Sequence, residues 1–145
     1  MTERDNRLAV LYVDREPQSR RTFLRACQEQ FRVFTAAGSL EALDRLKEHE
    51  AEVGVLVAVR CMLEPKGTWL LQRVRECHPQ VIRLLASDGC SQWAETTALL
   101  DGTAEGIIPI PWDPPELRKQ LHNELERFGP RLTDRSAEVK EAPNA

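Results

Sequence analysis

The sequence predicts an α/β fold, a parallel sheet wrapped by helices on both faces, and three observations carry that prediction. Apolar runs of strand length recur at 8-LAVLYV-13, 53-VGVLVAV-59, 81-VIRLLA-86 and 106-GIIPI-110. Their near-continuous apolar character is that of strands covered on both sides. Segments with helical periodicity separate them, and alternation of the two patterns makes successive βαβ units.

Taken in order, 8–13 is the first strand, and Glu16-Pro17 opens the first helix with Pro near its first turn. Phe23, Leu24 and Cys27 repeat there at helical spacing. A short second strand, 31-FRVFTA-36, follows. Gly38-Ser39 supplies a turn and an N-cap for a second helix, whose inner face is read as Leu40, Leu43 and Leu46 and which ends in 47-KEHE-50. The third strand runs into the loop 60-RCMLEPKG-67. Helix three carries Leu70, Leu71, Val74 and Cys77, and His78-Pro79 stops it just before the fourth strand.

The fourth helix, within 91-SQWAETTALLD-101, has Ser91 as its cap and Trp93, Thr97 and Leu100 on one face. Its Thr pair weakens helix propensity, so a short or mobile element is expected. The last helix is strongly signalled. Asp113 caps it, Pro114 takes the first position, Glu116 completes a capping box, and Leu117, Leu121, Leu125 and Phe128 form its stripe up to Gly129-Pro130. The segment 1–7 is polar, and 129–145 has too few large apolar residues to offset its ordering entropy, which predicts a disordered tail or linker.

Composition narrows the function. The chain has 145 residues, 41% hydrophobic and 30% charged, enough for one core. Its net charge of −3 comes from basic and acidic residues mixed along the sequence, which leaves no footprint for direct nucleic-acid binding. The longest uncharged apolar stretch, Val53 to Val59, is far short of the roughly 20 residues that cross a bilayer, and the polar start lacks a secretory core. Cytoplasmic localisation is therefore expected. Cys27, Cys61, Cys77 and Cys90 form no C-x-x-C pair and the chain has three histidines, so no structural zinc site is expected. Cys27 and Cys77 fall on apolar stripes, and burial is expected for both.

In such sheets ligands and reacting groups gather beyond the carboxyl ends of the strands. There the chain offers Asp14, Arg15, Val59, Arg60, Ser87 and Ile110. Val59 and Ile110 have no polar side-chain atom, and no Ser or Cys has a plausible base and oxyanion site nearby, so no enzyme is predicted.

The order of these units, opened by 10-VLYVDREPQSRR-21 and closed by 107-IIPIPWDPPELR-118, resembles the receiver domain of two-component response regulators over about residues 8–128. It is most similar to receivers with Lys-Pro-Trp-Asp-Pro before the last helix; here Pro111-Trp112-Asp113-Pro114 is kept and the Lys is Ile110. The resemblance implies a flavodoxin-like sheet of order 2-1-3-4-5, a cis Ile110-Pro111 bond, and a pocket that takes a phosphoryl group from a histidine kinase. In that family an Asp ending strand three is the acceptor, an acidic pair after strand one holds Mg²⁺, a Ser or Thr follows strand four, and a Lys follows strand five.

Carried over residue by residue, the acidic pair becomes Asp14 and Arg15, and the acceptor, eight residues before the Gly that opens helix three, becomes Val59. The hydroxyl survives as Ser87, the Lys becomes Ile110, and the aromatic switch position becomes Ile107. A hard divalent ion needs a net negative oxygen cup, which Asp14 cancelled by Arg15 does not make. The expectation is a degenerate receiver with no cofactor and its Mg²⁺ site lost. Asp14 is either a capping carboxylate or paired with Arg15 or Arg60, and Ser87 is read as a turn cap before a phosphate contact.

Such a domain acts through protein partners, a histidine kinase, a downstream signalling protein or a second copy. The expected surface is made by helix four, strand five and helix five, with Trp93, Trp112 and Leu117 as interface candidates; Trp112 equally suits packing over helix five. Two alternatives stay open: a working phosphoacceptor using another carboxylate such as Glu64, and a small-ligand sensor built on the apolar Val59 and Ile110 pocket.

Overall fold

The computed structural model describes residues 9–60 and 66–126. The segments predicted as a polar start and a disordered tail, Glu64, Cys61 and Phe128 lie outside the described residues. Five strands form one all-parallel sheet in the order β2-β1-β3-β4-β5, so the predicted doubly wound topology holds. The strands are β1 (Ala9–Val13), β2 (Val33–Ala36), β3 (Val53–Val59), β4 (Ile82–Ser87) and β5 (Gly106–Pro109). The helices are α1 (Pro17–Cys27), α2 (Ser39–Glu48), α3 (Gly67–Cys77), α4 (Gln92–Leu100) and α5, residues 114–126.

The two-residue period of the strands divides the core between the faces of the sheet. On one face, Leu11, Val13, Leu56, Ala58 and Leu85 pack against Ala42 and Leu46 of α2, Leu70, Leu71 and Val74 of α3, and Ala98 of α4. On the other, Val10, Tyr12, Val57, Leu84, Ala86 and Ile108 pack against Phe23 and Cys27 of α1 and Leu117, Leu121 and Leu125 of α5. This explains why the strands are apolar at consecutive positions.

The predicted N-cap bonds of Ser91 and Asp113 are present at α4 and α5, whereas α2 has Gly38 at its cap with no side-chain cap bond, because Ser39 is already its first residue. The Ser91 hydroxyl accepts from the Ala94 amide at 3.1 Å, and an Asp113 carboxylate oxygen accepts from the Glu116 amide at 3.3 Å. The Ile110-Pro111 bond is cis, as expected.

Two packing expectations need correction. Leu40 is 62% exposed, because α2 turns Ser39, Ala42 and Leu46 inward and the leucine row is offset from that stripe. Cys77 is exposed, since it is the last residue of α3 and follows the final buried position, Val74. In α4, Trp93 and Leu100 share a face as predicted, and it is the solvent face, with Ala98 buried on the other side.

Candidate functional site

Parallel pairing brings the carboxyl ends of the strands to one edge. Val59 pairs with Ala86, the residue before Ser87, and Val13 pairs with Ala58. The Arg60 amide donates to the Ala86 carbonyl at 2.8 Å, and the Ile110 amide donates to the Ser87 carbonyl at 2.9 Å. Asp14, Val59, Arg60, Ser87 and Ile110 are thereby collected on neighbouring strand tips.

Asp14 is buried, with one carboxylate oxygen accepting from the Tyr12 hydroxyl at 2.8 Å and the other from the Glu16 amide at 3.0 Å. Tyr12 is fully buried, stacked on Phe23 with centroids 4.1 Å apart. Burial, and then the Asp14 carboxylate beside it, push its phenol far above the ordinary value, so it remains a proton donor to Asp14. A buried bond to a charged acceptor contributes about 1.5–3 kcal/mol, against about 0–1 for an exposed ion pair. That difference decides the geometry. Asp14 faces inward as a turn carboxylate, and Arg15, the next residue, is exposed. Of the two readings of Asp14, the structure has the capping carboxylate, and Arg60 pairs instead with Asp88 at 3.8 Å.

Arg60 is the residue at this edge whose role the sequence reading missed. Its Nε donates to the Ser87 hydroxyl at 3.3 Å, and Ser87 is itself buried. The Cys90 amide holds the Asp88 carboxyl below the usual range, and Arg60 adds to that effect. A guanidinium thus lies across the end of β4. The signal was its position, one residue past the apolar run of β3.

The remaining candidates are apolar and packed. Val59 is half-buried and touches both core clusters, while Ile110 packs against the α1/α5 cluster. Ile107 packs into the opposite cluster, and its carbonyl accepts from Gln120 Nε2 at 2.6 Å. Trp112 lies edge-on to Tyr12 and Phe23, each at 5.6 Å, so its ring closes an aromatic group over the end of β1. Leu117 is buried under α5, which removes it from the set of exposed interface candidates. Trp93, 79% exposed, remains in it. A surface depression of about 420 Å³ opens beside Pro109, Pro111, Trp112, Glu116 and Lys119, between β5 and α5.

No family model matches the chain. The response regulator receiver domain protein (CheY-like) from Methanospirillum hungatei JF-1 superposes with a TM-score of 0.75 at 19% identity, covering 86% of this chain and 98% of that one. The chain has the receiver fold. Curated relatives agree with it. The sensor kinase CckA of Brucella abortus (strain 2308) is 29% identical over 127 residues, 87% of this chain and 13% of the kinase. The hydrogenase transcriptional regulatory protein HoxA of Cupriavidus necator is 30% identical over 129 residues, 86% of this chain and 26% of HoxA. The chain therefore spans a small part of the curated relatives it matches. Among the described residues the carboxyl edge carries the inward carboxylate of Asp14, the Arg60 guanidinium beside the Ser87 hydroxyl, and the aliphatic tips Val59 and Ile110. Among the described residues, no helix is long and apolar enough to cross a membrane.

Proposed function

We propose that this receiver fold serves two-component signalling as a protein-binding module that works without phosphorylation and without catalysing a reaction. The observation that carries the reading is the end of β3. Val59 stands where the family's acceptor carboxylate belongs, and a branched alkyl group has no oxygen to attack phosphorus or to hold a metal. Ile110 at the Lys position supplies no charge for a bound phosphoryl group.

The tips also do not fit Mg²⁺, which demands near-octahedral oxygen ligation and is held through carboxylates. Both Asp14 oxygens already accept hydrogen bonds, Arg15 is a cation, and Arg60 adds positive charge over Ser87. On this reading Ser87 and Asp88 are turn groups tied to Arg60, and the input comes from a partner, a histidine kinase or a downstream signalling protein, meeting the surface of α4, β5 and α5. Candidate contacts there are Trp93 and the rim of Trp112.

Titration with Mg²⁺ to millimolar concentration, followed by backbone amide shifts, tests the reading. The expected result is no saturable displacement at Asp14, Val59, Arg60 or Ser87. Saturable shifts converging on those four residues would overturn it.

A further inference from the structure

Helix α4 faces the sheet with one buried residue, Ala98, while Trp93, Leu99 and Leu100 stand in solvent. A single alanine removes too little apolar surface from water to seat a nine-residue helix, so α4 is held mainly through its ends. Arginines of the core reach both ends, and the two attachments are unequal.

At the C-terminal end, Arg75 of α3 donates to the Asp101 carbonyl at 2.7 Å, and Arg83 of β4 donates to the Gly102 and Thr103 carbonyls at 3.0 and 3.1 Å. Arg83 and Thr103 are buried, and the Ala104 amide closes the turn on the Ala98 carbonyl at 3.0 Å. At the N-terminal end the link is Arg60, at the tip of β3. Its Nε reaches the Ser87 hydroxyl at 3.3 Å, and its Nη2 stands 3.8 Å from the carboxylate of exposed Asp88. That carboxylate accepts from the Cys90 amide at 2.9 Å, and Ser91 next to it caps the helix. Hydrogen bonds weaken as they lengthen past about 3.2 Å, and an ion pair open to water is screened. The C-terminal attachment is therefore tight and the N-terminal one slack.

We infer that α4 is a lever, hinged at Asp101–Thr103 and latched at Asp88 by Arg60, whose N-terminal half opens from the sheet ahead of its C-terminal end. The inference rests on the protein-binding reading above only for its use, since α4 belongs to the proposed surface and the latch sets how often that surface changes shape. The motion itself needs no partner, so its failure would leave that reading standing.

Backbone amide hydrogen exchange on the native chain, corrected for intrinsic rates, reads the motion. The amides of residues 95–97 are expected to exchange about tenfold or more faster than those of Ala104 and Glu105, which bond to the Ala98 and Arg83 carbonyls. Arg60→Ala is expected to speed residues 95–97 severalfold further and to leave Ala104 and Glu105 unchanged. Asp88→Asn, at an exposed site, cuts the same tie without touching the strand end, and it acts in the same direction even where Arg60→Ala loosens the whole sheet. Slower exchange at residues 95–97 than at Ala104 and Glu105 in the native chain would overturn the hinge direction. Unchanged exchange at residues 95–97 in both variants, or equal acceleration of the two ends by Asp88→Asn, would remove the latch.

Discussion

A Cβ placed on Gly67 would stand 2.2 Å from the carbonyl oxygen of Val59, so the chain returns from β3 to α3 with backbone against backbone. The eight-residue separation of Val59 and Gly67, read in the sequence as a family spacing, has this steric meaning. Gly67→Ala is expected to cost about 3 kcal/mol, since neither the strand end nor the helix start can yield without disturbing the sheet. Urea unfolding measures it, and a loss below a few tenths would show that the two segments do not touch. Cys27 is a second single-residue case. Burial pushes its thiol up to about 12, with Arg118 opposing, whereas Cys77 and Cys90 are exposed. Alkylation at pH 8 followed by peptide mapping is expected to mark Cys77 and Cys90 and spare Cys27 until the protein is unfolded. The identities at the strand tips were legible in the sequence, but the partners were not. Asp14 turned to Tyr12 and Glu16, and Arg60 to Ser87, because side-chain direction depends on the end of each strand and the turn that follows it.

At the scale of elements, the loop between α4 and β5 is held by two arginines. Buried Arg83 of β4 donates to the Thr103 carbonyl at 3.1 Å and the Gly102 carbonyl at 3.0 Å, while Arg75 of α3 donates to the Asp101 carbonyl at 2.7 Å. Arg83→Ala strips the Thr103 and Gly102 carbonyls of this donor and removes the guanidinium 3.5 Å from Glu105. A loss of about 3 kcal/mol in chemical denaturation is expected, and a loss under 1 would show the clamp to be incidental. Five helices and five strands were legible because caps, prolines and apolar runs mark their ends. The rotation of α2 was not, since Ser39 and Ala42 are small and the leucine row outweighs them on any scale that counts bulk. For α4 the shared face of Trp93 and Leu100 was legible from their seven-residue spacing, but a helix with so few charges offers no polar stripe to say which side is outside.

Across the whole molecule, the apolar strands alone dictate a sheet covered on both faces, and the helical crossovers between successive strands dictate its parallel sense. Strand order came from the resemblance to receivers, since no local pattern in the sequence encodes which strands are neighbours. The same sheet collects the carboxyl edge, where any phosphoryl chemistry of this fold has to occur. With Val59 and Ile110 at that edge and Asp14 engaged, the proposed function requires that the domain take up no phosphate. Incubation of the native chain with acetyl phosphate and Mg²⁺, followed by intact mass and peptide mapping, tests this most directly. The expected spectrum shows the unmodified mass alone; a stable adduct of ~80 Da on an acidic side chain would contradict the account.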